Sequence, residues 1–423
     1  MSLLIIGSPV VFAIGTSAAM YFFIKPGMLR LFPVFIHKFF NGMDSYVLLC
    51  IPLFVMAGEI MNKNGMLEDL IKFVQLLVGR KRGGMAYVNV LASMLFGGMT
   101  GSGLADVSAL GPLEIKAMKQ DGYPVAFSAA LTATSAIQGP IIPPSIPMVI
   151  FSSLTNVSLG ALFLGGAIPG ILIGLGQVIV IRIMAVPKNF PRHYSKFSWK
   201  IFVNTSKITF FSLLMPLIII GGIASGIFTP TEAAAAAVGY ALFITFFIFR
   251  NKPKLNIDDF KEILSNTAKT TTKIYLIIGF VTIIGWIFAI EKVPAMLFNF
   301  IDQNNFSVYT LLFFANIFFL FNGMWLSDII QLILFAPLLT PIFVSLGVHP
   351  VHFGVVMVVN IMISMITPPY GTCLYLASAI SGTTLKEIVR ETIPFTIVSI
   401  IVLFIVTYFP WIILYLPRFF GFE

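Results

Sequence analysis

The sequence predicts an all-α polytopic membrane protein of about ten spans plus two re-entrant hairpins, built from two inverted repeats that each contain a broken helix. Three observations predict this class. Of 423 residues, 58% are hydrophobic and 10% charged, and the mean hydropathy is +0.98, a balance that water-soluble chains do not show. Apolar runs of about 20 residues, enough to cross a bilayer, recur at 3–23, 159–181, 208–227, 231–249 and 395–414. Finally, Pro143-Pro144 interrupts one apolar run and recurs 225 residues later (368 minus 143) as Pro368-Pro369.

The duplication extends well beyond the prolines. Residues 96–169 and 321–394 align without a gap: Phe96, Gly98 and Met99 meet Phe321, Gly323 and Met324. Ser102, Pro112, Leu113, Gly122 and Ser153 meet Ser327, Pro337, Leu338, Gly347 and Ser378, and Ile168-Pro169 meets Ile393-Pro394. A repeated, interrupted helix in a membrane protein points to a transport site.

Taken in order, the first apolar run has no basic segment before it and no small-residue cleavage site after it. It reads as a retained span with its N-terminus outside, on the periplasmic side. The net charge of +9 is a matter of topology: basic residues cluster at 25–38, 80–82, 116–119, 182–207, 250–273 and 386–390, leaving only Lys63, Lys72, Lys292 and Arg418. The positive-inside rule puts every cluster in the cytoplasm. Residues 84–115 must then leave the membrane on the side they entered, as a re-entrant hairpin with its tip near 97–103. Residues 124–154 cross outward through the first break, and 159–181 return. The next pair turns outside at 224–230, and 274–290 climb out again. For Lys386 and Arg390 to be cytoplasmic, one of 306–344 and 351–381 must cross while the other enters and leaves from outside. The match to the first hairpin makes 323–341 the second one. The repeats are therefore inverted, on charge placement alone.

The expected organisation follows: 1–83 are N-terminal scaffold helices, 84–158 the first transport repeat, and 159–305 scaffold helices with connecting arms. Residues 306–383 form the second transport repeat and 384–423 a C-terminal scaffold helix.

Proline lacks an N–H and leaves the i−4 carbonyl unsatisfied, which a bilayer tolerates only where the backbone lines a cavity or binds something. The stretch 138–147 holds Pro140, Pro143, Pro144 and Pro147, more than a kink needs, and should be unwound for about a turn or two. Its mate, 364–372, adds the hydroxyls of Ser364, Thr367 and Thr372. Carbonyls and hydroxyls are hard ligands for a small cation, and half-helix N-termini offer N–H groups to an anion. The glycines of the tip at 97–103 permit a tight turn and close backbone approach.

Several residues carry two open readings. Asp106 and Asp328 lie beyond the tips, where an intramembrane acid is functional by default, although Asp106 could also cap its helix. Glu59 and Glu232 are either functional or interfacial and structural. Thr132, Thr134 and Ser135 either line the cavity or bond their own helix. His37, His193, His349 and His352 fall in loops or interfaces and form no metal pattern, and Cys50 and Cys373 read as buried apolar fillers. No phosphate-binding loop is present, and no nucleophile–base pair, paired-Asp motif or metal cluster lies within the spans. The chain is expected to be no enzyme, to need no cofactor and to bind no nucleic acid. An ion gradient is the expected energy source, with sodium favoured over protons because the breaks are poor in carboxylates and histidines.

The chain resembles, over essentially its whole length, the large membrane subunit of the tripartite ATP-independent periplasmic (TRAP) transporters. The resemblance rests on four blocks in the family's order, at 51–61, 96–118, 139–145 and 226–234. One departure is that an acid often found four positions after the glycine of the second hairpin is here Ser327, with Asp328 following. The resemblance implies sodium-coupled, elevator-type import of an organic acid, of the sialic acid or C4-dicarboxylate class, across the bacterial inner membrane. It implies two partners, a small four-helix membrane subunit and a periplasmic binding protein, with sodium ions as coupling ions. One sodium site would comprise Gly101, Ser102, Gly103, Ile142, Pro143 and Ser145, and a second Gly323, Ser327, Asp328, Thr367, Gly371 and Thr372. The substrate would lie between the tips, near Ser102, Thr134, Gln138, Ser327 and Thr372. The alternative is a stand-alone divalent anion:sodium symporter of the same architecture, against which the blocks around Pro52 and Pro230 speak.

Overall fold

The computed structural model describes residues 10–192, 199–248 and 255–422, so part of the first apolar run and His193 lie outside the described residues. Among the described residues, the regular structure is helical apart from an isolated antiparallel bridge between Arg82 and Arg192. In chain order the α-helices are α1 (Val10–Ile24), α2 (Phe32–Met43), α3 (Cys50–Lys63), α4 (Met66–Val78), α5 (Gly84–Thr100), α6 (Gly103–Gln120) and α7 (Val125–Ser135). They continue as α8 (Ile146–Thr155), α9 (Leu159–Ala185), α10 (Trp199–Ala224), α11 (Pro230–Phe243), α12 (Ile257–Ile290) and α13 (Val293–Gln303). The last are α14 (Val308–Asn322), α15 (Asp328–Ser345), α16 (Pro350–Ser364), α17 (Thr372–Ser381), α18 (Leu385–Tyr408) and α19 (Pro410–Phe419).

Among the described residues, six stretches are long and apolar enough to span a bilayer: Tyr46–Lys63, Leu159–Ala185, Pro230–Ile248, Ile257–Ile290, Asp328–Ser345 and Leu385–Tyr408. The remaining apolar helices are shorter, because the glycines and prolines that punctuate the sequence divide them. The first arms of both hairpins and all four broken-helix halves are among these shorter helices, whereas α15, the returning arm of the second hairpin, is long enough to span. The pair α5 and α6 forms one hairpin, α14 and α15 the other; α7 and α8 flank the first break, α16 and α17 the second.

The duplication in sequence is a duplication in structure. Helices α6 and α15 share both boundaries at the same spacing of 225 (328 minus 103, 345 minus 120). Gly122 and Gly347, another matched pair, both adopt positive φ, 94° and 88°. The Pro143-Pro144 and Pro368-Pro369 peptides are both cis. The two units interlock: α6 of the first hairpin packs on α17 beyond the second break, and α15 of the second hairpin packs on α8 beyond the first. This reciprocal exchange is what a pseudo-two-fold axis between repeats requires.

Helices in lipid associate by close packing rather than by hydrophobic expulsion of water, and small residues permit it here. A Cβ on Gly166 of α9 would lie 2.6 Å from the Ile141 carbonyl oxygen, so α9 presses directly on the first break. The N-terminal arm docks by aromatic contact instead. Phe22 stacks on Trp286 of α12 with centroids 5.7 Å apart and meets Phe32 and Phe35 edge-on. Helix α12 also packs along α2 and α3.

Three details depart from the reading of the sequence or close an open one. Glu232 belongs to a capping box: the Thr229 N–H donates to its carboxylate at 2.8 Å, and the Glu232 N–H donates to Thr229 Oγ1 at 3.3 Å, so its role is structural. His352 is not in a loop or interface but buried within α16, its Nε2 3.1 Å from the Val406 carbonyl oxygen. His37 lies on α2 and is exposed, so it is not in a loop, while the interfacial reading stands.

Candidate functional site

The first tip docks on the first break through backbone. Helix α5 ends at Thr100, Gly101 adopts the left-handed conformation with φ 63°, and Ser102 caps α6 by accepting the Ala105 N–H at 3.4 Å. Only glycine fits two of these positions. A Cβ on Gly97 would fall 2.3 Å from Gly139 Cα, and one on Gly101 would fall 2.6 Å from the Pro144 carbonyl oxygen. The Ile146 N–H donates to the Gly101 carbonyl at 3.3 Å. The structure therefore brings Gly101, Ser102 and Gly103 against the segment containing Ile142, Pro143 and Ser145. Ser145 caps α8 through the Met148 N–H at 3.3 Å and donates its hydroxyl proton to the Pro140 carbonyl. The break is thus held open by its own side chains.

The second tip is built differently. Gly323 packs on Ser364, where a Cβ would come within 2.0 Å of the serine Cβ. Gln331 pins the tip: its amide donates to the Phe319 carbonyl at 3.1 Å and accepts the Gly323 N–H at 3.2 Å, an orientation assigned by hydrogen bonding. Gly323 thus faces Ser364, one turn before the break, and not Thr367 or Thr372. Ser327 precedes α15 without a side-chain cap bond. Thr367 donates to the Ile363 carbonyl at 2.9 Å, and the Gly371 N–H donates to the Thr367 carbonyl at 3.1 Å.

A cavity of about 1050 Å³ connects these parts. Thr100, Gly101, Ser102 and Gly103 line it from the first tip, and Pro140, Ile146 and Pro147 from the first break. Asp328 and Ile329 begin the second hairpin's returning arm, and Met365, Tyr370, Thr372 and Tyr375 come from the second break. Val55, Gly58, Glu59 and Asn62 of α3 with Thr270, Lys273 and Ile274 of α12 close the remaining wall. Two hydroxyls of lining residues, Thr100 and Thr372, are buried and have no hydrogen-bond partner within the protein, and each is free to accept one, since a buried orphan costs about 1–3 kcal/mol. Glu59 therefore borders the cavity.

Three expected substrate residues are absent from the lining: Ser327, Thr134 and Gln138. Thr134 bonds its own helix through the Leu131 carbonyl at 2.9 Å, and Gln138 donates to Gln177 at 2.7 Å. Both are fully buried: Thr134 is satisfied within α7 and the Gln138 amide N–H by α9, while Gln138 Oε1 is left without a partner. Thr132 and Ser135 belong to a cross-helix network, not to the cavity. Asn89 donates to Glu114 and to Thr132 at 2.7 Å each, and Ser135 donates to Asn89 at 2.8 Å. Nor does Asp106 cap α6, since Ser102 does so and neither Asp106 oxygen accepts a hydrogen bond. The network residues Asn89 and Glu114 escape sequence reasoning, as do Thr100 and Lys273 on the lining and Gln331 at the second tip, whereas Ser364, expected as a break hydroxyl, packs on that tip instead. A signal existed for Gln331, which is Asp106 shifted by 225 (331 minus 106), and for Asn360, which is Ser135 so shifted (360 minus 135). Asn360 donates to Asn316 at 2.8 Å. Each repeat thus ties its pre-break helix to the first arm of its hairpin.

Residues 1–412 match the family model described as "Tripartite ATP-independent periplasmic transporter, DctM component". The sialic acid TRAP transporter large permease protein SiaM of Vibrio cholerae is 40% identical over 380 residues, covering 90% of this chain and 88% of that protein. The C4-dicarboxylate TRAP transporter large permease protein DctM of Pseudomonas aeruginosa is 36% identical over 384 residues, covering 91% and 89%. Among solved structures, the YdaH transporter of Alcanivorax borkumensis superposes with a TM-score of 0.65 over 92% of this chain and 91% of that one. At 14% identity that likeness is one of fold alone.

Proposed function

Because the chain belongs to the DctM component family of the tripartite ATP-independent periplasmic transporters, we propose that it is the large subunit of a sodium-driven organic-acid importer. The chain is a multi-pass membrane protein and a transport permease, not an enzyme, in keeping with its relatives. The observation that carries the finer reading is the cavity in which both hairpins and both broken helices meet a wall of scaffold helices. Its lining bears two carboxylates, Glu59 and Asp328, against one ammonium, Lys273. An organic anion is repelled from such a surface unless cations enter with it. The orphaned hydroxyls of Thr100 and Thr372, with the tip and break carbonyls, suit sodium. One ion sits with Gly101, Ser102, Gly103, Ile142, Pro143 and Ser145. The other sits with Asp328, Thr367, Gly371 and Thr372, and the substrate carboxylate lies between.

In this reading residues 84–158 and 306–383 move as one body against the scaffold, in elevator fashion. A small membrane subunit and a periplasmic binding protein complete the assembly in the bacterial inner membrane. The substrate is an acid of the kind named for the relatives, sialic acid or a C4-dicarboxylate. The test is uptake by proteoliposomes of sialic acid and of succinate, with and without an inward sodium gradient, the small subunit and the binding protein. Uptake of one acid that needs all three is expected. Uptake by the lone chain, or without sodium, overturns the proposal.

A further inference from the structure

Lys273 is the cationic side chain on the cavity lining among the described residues, and it makes no ion pair there. Lys63, on the neighbouring helix, is by contrast held by Glu262 at 2.6 Å and Asp259 at 3.6 Å, and Lys269, one turn before Lys273, is not on the lining. Lys273 sits at the boundary where the polar half of α12 gives way to the apolar run from Ile274 to Ile290. Lys273 is exposed, and its ammonium needs no ion pair where the cavity is open to water. It belongs to the scaffold wall, whereas Ser102, Thr372 and the breaks belong to the repeats.

We propose that Lys273 is a one-sided anchor: it binds the substrate carboxylate while the cavity faces the cytoplasm and takes no part when the site faces outward. The inference rests on the function proposed above and adds the residue that sets affinity on the inner face. The physical argument is positional. A charge fixed to the stationary wall attracts the anion only in the position where the repeats bring the anion beside it, and the attraction falls with distance. Release into the cytoplasm is then a transfer from the tip hydroxyls past Lys273, which slows exit and strengthens rebinding from inside. The bland alternative is a basic side chain that merely marks the cytoplasmic boundary of a span.

The two are separated in proteoliposomes of the full complex by measuring half-saturation for import from outside and for exit from preloaded vesicles. The probe is whichever of N-acetylneuraminate and succinate the wild type carries. For Lys273→Met, exit half-saturation is expected to rise roughly three- to fivefold, the effect of one partly screened charge contact, with import half-saturation unchanged. Lys273→Arg restores exit, and the neutral amide of the same acid leaves at the same half-saturation from wild type and Lys273→Met. Lys273→Gln replaces the Met variant if that one fails to insert. Unchanged exit, equal shifts on both faces, or an amide that responds like the acid would each overturn the proposal. A wild type that carries neither acid with sodium overturns the underlying function, and the anchor with it.

Discussion

Glu114 shows how individual polar side chains are used in this protein. It is 1% exposed and accepts bonds from Asn89 at 2.7 Å and Thr132 at 3.5 Å, so it joins both arms of the first hairpin to α7. Glu114→Ala leaves the Asn89 and Thr132 donors unsatisfied in a dry interior, at a cost of about 1–3 kcal/mol, and should lower the melting temperature of the purified protein. Glu114→Gln keeps an acceptor oxygen and should retain most of that stability; an alanine variant as stable as wild type would show the network to be dispensable. Gly97 is constrained by space, since an added Cβ meets the backbone of Gly139 at 2.3 Å. Overpacking of this kind costs roughly 1–3 kcal/mol and here acts on the docking of tip against break. Gly97→Ala should therefore abolish sodium-dependent uptake while the protein still reaches the membrane, and uptake near wild-type level would contradict the tight docking.

The broken helices are the elements whose design could be read most directly from the chain. Proline has no N–H to donate and blocks the preceding carbonyl, so the interruption at 139–145 follows from composition, and the structure has it between α7 and α8. Replacing Pro143 and Pro144 together with alanine restores two N–H groups and lets the helix propagate; uptake should fall at least tenfold at unchanged expression, and normal uptake would reduce the break to a kink. The hairpins were legible because a bilayer forbids most other paths for a charged flank. Gly101, Ser102, Gly103, Asp328 and Thr372 were legible as cavity residues because tips and breaks announce themselves locally. Lys273 was not, because the far wall of the cavity is set by how α3 and α12 dock, which no local pattern encodes. Gln138 misled for a related reason: its partner Gln177 lies in an unbroken apolar run and gives no sign of being a partner. Just beyond the C-terminal ends of α1 and α12, Lys25 bonds Glu291, which puts the two on one side of the membrane and corrects the reading that placed 25–38 in the cytoplasm while 274–290 climb out. The contact pulls the Glu291 carboxyl below its usual range and pushes the Lys25 ammonium up. The contribution of Glu291 is therefore present above the ordinary carboxylate range and lost as pH falls through its lowered value. That of Lys25 is present below the ordinary lysine range and lost as pH rises through its raised value. Glu291→Gln should remove this acid-side sensitivity from the melting curve, with a small effect that added salt screens.

At the scale of the whole molecule, the direction in which the cavity opens determines what motion the repeats must make. Its scaffold wall ends at Glu59, Asn62 and Lys273, beside the Lys63 ion pairs with Asp259 and Glu262 and next to the basic segment 250–273 that the positive-inside rule assigns to the cytoplasm. Under the proposed function this conformer is the inward-open one, and import would have the interlocked repeats carry the site outward past α3 and α12. Ser108, exposed on α6 and on the lining, reports on that state. The native thiols Cys50 and Cys373 are buried and leave little background. Ser108→Cys should react with a membrane-impermeant thiol reagent in inside-out vesicles and resist it in right-side-out cells, and sodium with the transported acid should slow the reaction by filling the cavity. Labelling from the periplasmic side at rest would reverse the assigned orientation of both hairpins together, since the interlocking of α6 with α17 and α15 with α8 does not allow one to be inverted without the other.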